Sequence, residues 1–223
     1  MIFTQLAFLI FLLVTISAHR MISSHRAKKA LLLCASYFFY GFWDYRFLSL
    51  IFISTAIDYF LGLKLRRASN EQRRRSLLAA SLVLNLGILG FFKYFNFFAG
   101  SADELLTRLG IDAEPTTLNI ILPVGISFFT FQSMSYTIDV YRRQLEGRKS
   151  FLDFALYVSF FPQLVAGPIV RASEFLPQLE TSRKDPVDIR RVTGLFAVGY
   201  FKKACVADNV AAAIAPAFAN AAS

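Results

Sequence analysis

The chain has 223 residues, 24 lysines and arginines against 15 aspartates and glutamates, and a formal charge of +9; 56% of it is hydrophobic and 25 residues are phenylalanine. A soluble domain of this length carries more charge and fewer uninterrupted apolar runs, so the composition excludes one. The basic residues cluster between apolar runs, a pattern of membrane orientation and not of a nucleic-acid surface.

Met1 to Ala18 is uncharged, and Arg20, Arg26, Lys28 and Lys29 follow it. A cleaved signal peptide has the reverse order, so this run reads as an uncleaved first span with its N-terminus outside. Ala30 to Trp43 is apolar but shorter than the roughly 17 residues a span tolerates; it must tilt, sink partly or extend through Tyr45. Phe47 to Leu63 follows, interrupted only by Asp58. The strongest basic block comes next, Lys64, Arg66, Arg67, Arg73, Arg74 and Arg75 against Glu71 alone. It orients the chain and meets lipid headgroups. Ser76 to Phe92 is a further uncharged run. Lys93 to Thr117 is an acidic outer connection, with Lys93 and Arg108 opposed by Asp103, Glu104, Asp112 and Glu114.

The stretch Leu118 to Arg171 holds two apolar segments broken by proline and glycine, one at Pro123 and Gly125, the other at Pro162, Gly167 and Pro168. Inside lipid an unpaired backbone group costs several kcal/mol, so broken helices persist only against protein or a water-filled cavity. The connection from Asp139 to Asp153 is basic and cytoplasmic. Phe154 to Val170 either crosses or re-enters; its breaks and the basic stretch to Lys203 favour re-entry. Ile189 to Lys203 reads as an amphipathic surface helix, and Ala204 to Ala222 is weakly apolar for a span. The expected architecture is an all-α polytopic membrane protein with re-entrant segments, one membrane domain over residues 1–223.

Chemistry-bearing residues are few. The two cysteines, Cys34 and Cys205, read as small buried residues. His19 and His25 lie in a basic connection and read as solvated. No Ser-His-Asp set, phosphate-cradling glycine loop or Cys/His cluster is present, so no metal site is expected. Asp58, in an apolar run, is either functional, or an ionised residue near a membrane face or a helix contact. Gln132 lines a cavity, faces lipid or makes a simple helix contact. Tyr136, Asp139 and Arg142 anchor the cytoplasmic interface or serve a site. Gly167, Pro168 and Arg171 form the sharpest group: glycine lets backbone approach, proline stiffens the turn, and Arg171 offers a fixed cation for a phosphate or carboxylate, or caps carbonyls of a re-entrant turn. The substrate or tunnel-lining candidates are therefore Gln132, Tyr136, Asp139, Gly167, Pro168 and Arg171.

The blocks ASYFFYGFWDYRFLSLIF (Ala35 to Phe52), LGFFKYFNFF (Leu89 to Phe98), LPVGISFFTFQSMSYTIDVYR (Leu122 to Arg142) and FFPQLVAGPIVR (Phe160 to Arg171) resemble the membrane-bound O-acyltransferases, most closely the bacterial alginate O-acetylase-like branch. That resemblance implies many membrane helices around a tunnel in a bacterial cytoplasmic membrane. It implies no bound cofactor, with acetyl-CoA or a derived acetyl donor entering from the cytoplasm. It implies a polysaccharide acceptor outside, and periplasmic or membrane partners in polysaccharide acetylation. The family's catalytic histidine lies in the second half of full-length members, so no catalytic residue is carried over. The expectation is an N-terminal part that is inactive alone. The alternatives are a non-catalytic membrane scaffold and a transporter built on broken helices, for which the inverted repeat is missing.

Overall fold

A computed structural model describes residues 5–110, 120–147, 150–164, 167, 168, 170–180 and 188–221. In chain order its helices are α1 (Leu6–Met21), α2 (His25–Asp44), a 3-10 turn (Tyr45–Phe47), α3 (Leu48–Arg67), α4 (Glu71–Arg108), α5 (Ile126–Tyr141), α6 (Phe151–Ser159), α7 (Phe161–Leu164), α8 (Ala172–Glu180), α9 (Ile189–Phe201), a π-helical stretch (Lys202–Ala207) and α10 (Asp208–Ala221). There is no strand among the described residues.

They form two compact units, Ile22–Thr181 and Met1–Met21 with Ser182–Ser223. In the second, α1 is a short apolar helix, and α9, the π-helical stretch and α10 follow one another directly. Lys203 pairs with Asp208 across the π-helical stretch, and Asn209 Nδ2 donates to the Cys205 carbonyl at 2.8 Å. No residue of α9 is buried.

In the larger unit, α2 and α3 have 20 residues each, about 30 Å of helix and the thickness of a hydrocarbon core. The short apolar run therefore reaches spanning length by continuing through Lys28 and Lys29 to its cap at Ser24, whose hydroxyl accepts from the Ala27 amide. Asp44 closes the far end by accepting from the Arg46 amide at 2.9 Å and pairing with its guanidinium at 2.6 Å.

α4 corrects one expectation. It runs 38 residues without interruption, through Lys93 to Arg108, where the charge pattern predicted a loop. Nothing between Lys93 and Arg108 breaks a helix: there is no proline, and Arg108 pairs with Glu104 one turn back at 2.6 Å. Gly110, at φ +74°, ends it in the left-handed conformation that glycine allows.

The cysteine reading is also corrected: Cys34 and Cys205 are exposed. A side chain in a membrane helix needs no protein burial, because lipid is apolar already.

α6 is the centre of the larger unit. Every residue from Asp153 to Ser159 is buried, and α2, α3, α5 and α8 pack around it. A helix apolar on all sides belongs in such a place. Aromatic rings fill the joints, with Phe154 4.4 Å from Tyr136 and 6.1 Å from Tyr59 between centroids.

Candidate functional site

The site is built around the break after α6. Phe160 leaves the helix at φ −57°, ψ 113°, and Pro162 has no N–H to offer the preceding turn. Among the helical hydrogen bonds lost is the one between the Tyr157 carbonyl and the Phe161 amide. Both groups are satisfied elsewhere. The Tyr157 carbonyl accepts from Gln132 Nε2 on α5 at 2.6 Å, and the Phe161 amide donates to Ser36 Oγ on α2 at 3.2 Å. The break thus survives in an apolar interior because neighbouring helices supply its partners.

The same contacts hold the chain beyond the break. Gln132 Nε2 also donates to Gln163 Oε1 at 3.1 Å, and the Gln163 carbonyl accepts from the Gly167 amide at 3.1 Å. Tyr157 Oη reaches the Gln132 carbonyl, the Val170 carbonyl and Ser135 Oγ, each at 3.2 Å. Gly167 fits so tightly that a Cβ there would sit 2.5 Å from Gln163 Cα. Only glycine tolerates that approach.

The segment then returns to where it began. At its start Asp153 pairs with Lys29 of α2 at 2.8 Å; at its end the Leu179 carbonyl of α8 meets His25 Nε2, one turn from Lys29, at 2.6 Å. Asp153 and Leu179 therefore both meet the His25 end of α2. His25 is a helix-end partner for α8 and not a free imidazole.

The six candidates fall into two groups. Gln132, Tyr136 and Asp139 lie four and three residues apart along α5, on one face of the helix, and are buried. Gln132 and Gly167 meet through Gln163. Tyr136 packs on Gly62, where a Cβ would lie 2.7 Å from its ring. Asp139 closes α5, its carbonyl accepting from the Gln144 and Leu145 amides at 3.0 and 3.3 Å. Pro168 and Arg171 are exposed, and the Arg171 carbonyl accepts from Glu174 and Phe175 at the start of α8.

A second polar cluster sits where α3, α4 and α5 meet. Asp58 is fully buried. Its carboxylate accepts from Ser81 Oγ at 2.6 Å, from Asn85 Nδ2 at 2.7 Å and from Ser133 Oγ. Asn85 Oδ1 in turn accepts from Ser54 Oγ at 3.3 Å, and Thr137 Oγ1 lies 3.2 Å from Ser81 Oγ. Each carboxylate oxygen is satisfied by neutral donors, as a buried polar group requires.

Among curated proteins, the chain is 36% identical over 213 residues to a probable alginate O-acetylase of Pseudomonas aeruginosa, a match covering 95% of this chain and 41% of that protein. It is 35% identical over 212 residues to a probable alginate O-acetylase of Azotobacter vinelandii, covering 95% of this chain and 42% of that protein. The chain belongs to the alginate O-acetylase family. It is also 37% identical over 212 residues to a peptidoglycan O-acetyltransferase of Helicobacter pylori, covering 82% of this chain and 39% of that protein. This O-acetylase-family chain spans about two-fifths of the length of these relatives. No family model and no solved structure matches it.

For this O-acetylase-family chain, sequence reasoning singled out Gln132 and Asp58 but not the residues that hold them. Tyr157 meets Gln132, and Ser36 meets the Phe161 amide, only at the break. Ser81 and Asn85 are spaced four apart on α4, as are Ser133 and Thr137 on α5. Two such pairs of small polar residues in apolar runs were the available signal.

Proposed function

We propose that this chain is the N-terminal, membrane-embedded part of an enzyme that transfers acetyl groups from a cytoplasmic donor to hydroxyls of an exported glycan. The observation that carries the reading is its relation, along 95% of its length, to glycan O-acetylases. Acetyl-CoA, or an acetyl carrier derived from it, is the donor, and an alginate-like uronate polymer is the first acceptor to test. The peptidoglycan-modifying relative makes peptidoglycan the second. In the transfer the donor's thioester C–S bond breaks, an ester C–O bond forms, the hydroxyl proton passes to a base and the thiolate takes up a proton. The base is expected from the part of the full-length relatives beyond the matched stretch, a contribution of typically ~10²–10⁴-fold.

The protein sits in a bacterial inner membrane with its N-terminus outside, and works with membrane or periplasmic partners. The helix ends carrying His25, Lys29 and Arg66 and the turn carrying Arg143 then face the cytoplasm, in keeping with their charge. Gln132, Tyr136, Asp139, Gly167, Pro168 and Arg171 line the path of the acyl group, with Gln132 and Gly167 setting the backbone of the re-entrant turn.

The test is acetyl transfer in membranes from cells carrying the intact gene and from a deletion strain. Labelled acetyl-CoA is supplied on the cytoplasmic side, and alkali-labile label is counted in polymannuronate or peptidoglycan. The expected result is label that depends on the gene; equal label without it overturns the reading. A non-catalytic scaffold is the second reading, in keeping with the absence of a Ser-His-Asp set or Cys/His cluster in this sequence. It predicts that transfer persists in the deletion strain while partner subunits lose their membrane attachment.

A further inference from the structure

Most cations at the basic end of the larger unit are scattered on its surface, but three arginines are gathered by the fold. A cavity of about 450 Å³ is framed by the end of α3, the start of α4 and the turn after α5, with Arg66, Arg74 and Arg143 in its lining. Arg74 is buried and forms the floor. Its guanidinium donates to the Leu65 carbonyl at 2.8 Å, to the Val140 carbonyl at 3.2 Å and to the Tyr141 carbonyl at 2.5 Å, tying the last turns of α3 and α5 together. Arg66 and Arg143 stand on either side, exposed, and neither pairs with a carboxylate among the described residues. Glu146 also lines the cavity but lies outside ion-pair distance of both.

The turn that presents Arg143 is held in place. The Gln144 and Leu145 amides both donate to the Asp139 carbonyl. Gly147 lies so close to α3 that a Cβ would meet the Gly62 carbonyl oxygen at 2.8 Å and Arg66 Cβ at 3.1 Å. Arg143 itself has φ +59°, alone among the non-glycine residues described. Left-handed backbone in a residue with a bulky side chain is retained where the surroundings over-determine it, and such positions concentrate at ligand sites. Two planar guanidiniums at one cavity match the oxygens of a phosphate, with parallel N–H···O bonds that a lysine does not provide.

We propose that Arg66 and Arg143 bind a phosphate-bearing anion in this cavity. The site stands apart from the acetyl-transfer reading and needs neither donor nor acceptor to be tested. The phosphate comes from a lipid headgroup or from a soluble phosphate compound, and the experiment separates them.

The full chain is purified in three forms: unaltered, with Arg66→Gln and Arg143→Gln together, and with Arg67→Gln and Arg142→Gln together. The last pair removes equal charge from exposed neighbours that do not line the cavity. Inorganic pyrophosphate is titrated by calorimetry. Retained phosphatidylglycerol is measured per protein after extraction from phosphatidylcholine nanodiscs with and without that lipid. The expected result is a loss of about tenfold or more for the cavity pair in one of the two measurements, with the neighbour pair close to the unaltered chain. Loss in the pyrophosphate arm identifies a soluble ligand; loss in the lipid arm identifies a headgroup. Equal behaviour of the two pairs in both arms overturns the proposal. Circular dichroism checks folding, and Arg143→Gly, which relieves the left-handed backbone, repeats the test should the double variant fold poorly.

Discussion

Gln132 on α5 and Ser36 on α2 take up the two ends of one missing hydrogen bond: Gln132 donates to the Tyr157 carbonyl at 2.6 Å, and Ser36 accepts from the Phe161 amide at 3.2 Å. Their helices reach α6 from two directions, so the break is held on both sides.

Removing Gln132 should therefore cost stability through the backbone it leaves bare. Gln132→Leu strands the Tyr157 carbonyl in an apolar interior, a loss of about 1–3 kcal/mol. Ser36→Ala strands the Phe161 amide at similar cost. Because both act on one break, the double variant should lose less than the sum. Thermal unfolding of the purified chain in detergent reads all three; a Gln132→Leu melting temperature equal to that of the unaltered chain contradicts the role given to it.

Asp58 ties three helices through neutral partners. Asp58→Asn keeps only one of the two acceptor oxygens, so either Ser81 Oγ or the pair Asn85 Nδ2 and Ser133 Oγ loses its acceptor, and the bundle should be destabilised by about 1–3 kcal/mol. A double-mutant cycle with Ser133→Ala should give a coupling of about 0.6 kcal/mol, as found for polar pairs between membrane helices. Full additivity would show that the two side chains do not share a hydrogen bond.

Gly62→Ala tests the packing beneath the candidate face. The added methyl would lie 2.7 Å from Cε1 and 3.0 Å from Oη of Tyr136. Overpacking of this kind costs about 1–3 kcal/mol. Tyr136→Leu in the same chain should recover part of that loss, and unfolding midpoints of the single and double variants measure it.

Glu71 gives a pH dependence. The Tyr141 hydroxyl donates to it at 2.6 Å, and that bond, with Arg75 and Arg74 nearby, holds its carboxyl below the usual glutamate value of 4.5. A carboxyl lowered in the folded state stabilises fully above its unfolded value and loses that contribution as pH falls through its folded one. The difference in melting temperature between the unaltered chain and Glu71→Gln should be constant at neutral pH and shrink below about pH 4.5. A difference that persists unchanged into acid would mean the charge is not what Tyr141 binds.

Much of this fold was legible because lipid imposes simple rules. The lengths of apolar runs located α1 to α4, and Pro162 marked the break after α6. The extension of α4 past Lys93 was hidden because charge ends an apolar run without ending a helix. Gln132 stood out as a polar side chain among phenylalanines. Its main partner is a backbone carbonyl 25 residues away, and a carbonyl leaves no mark in a sequence. Arg66 looked like every other arginine in its block; only the return of the α5–α6 turn onto Gly62 sets it apart.

The O-acetyl content of the exported glycan, measured by proton NMR in the source organism, bears most directly on glycan acetylation as the function. Three strains are compared: one with the gene intact, one lacking it, and one restored with it. Acetyl groups lost on deletion and regained on restoration are the predicted result. An unchanged acetyl content in the deletion strain, for both uronate polymer and peptidoglycan, would contradict it.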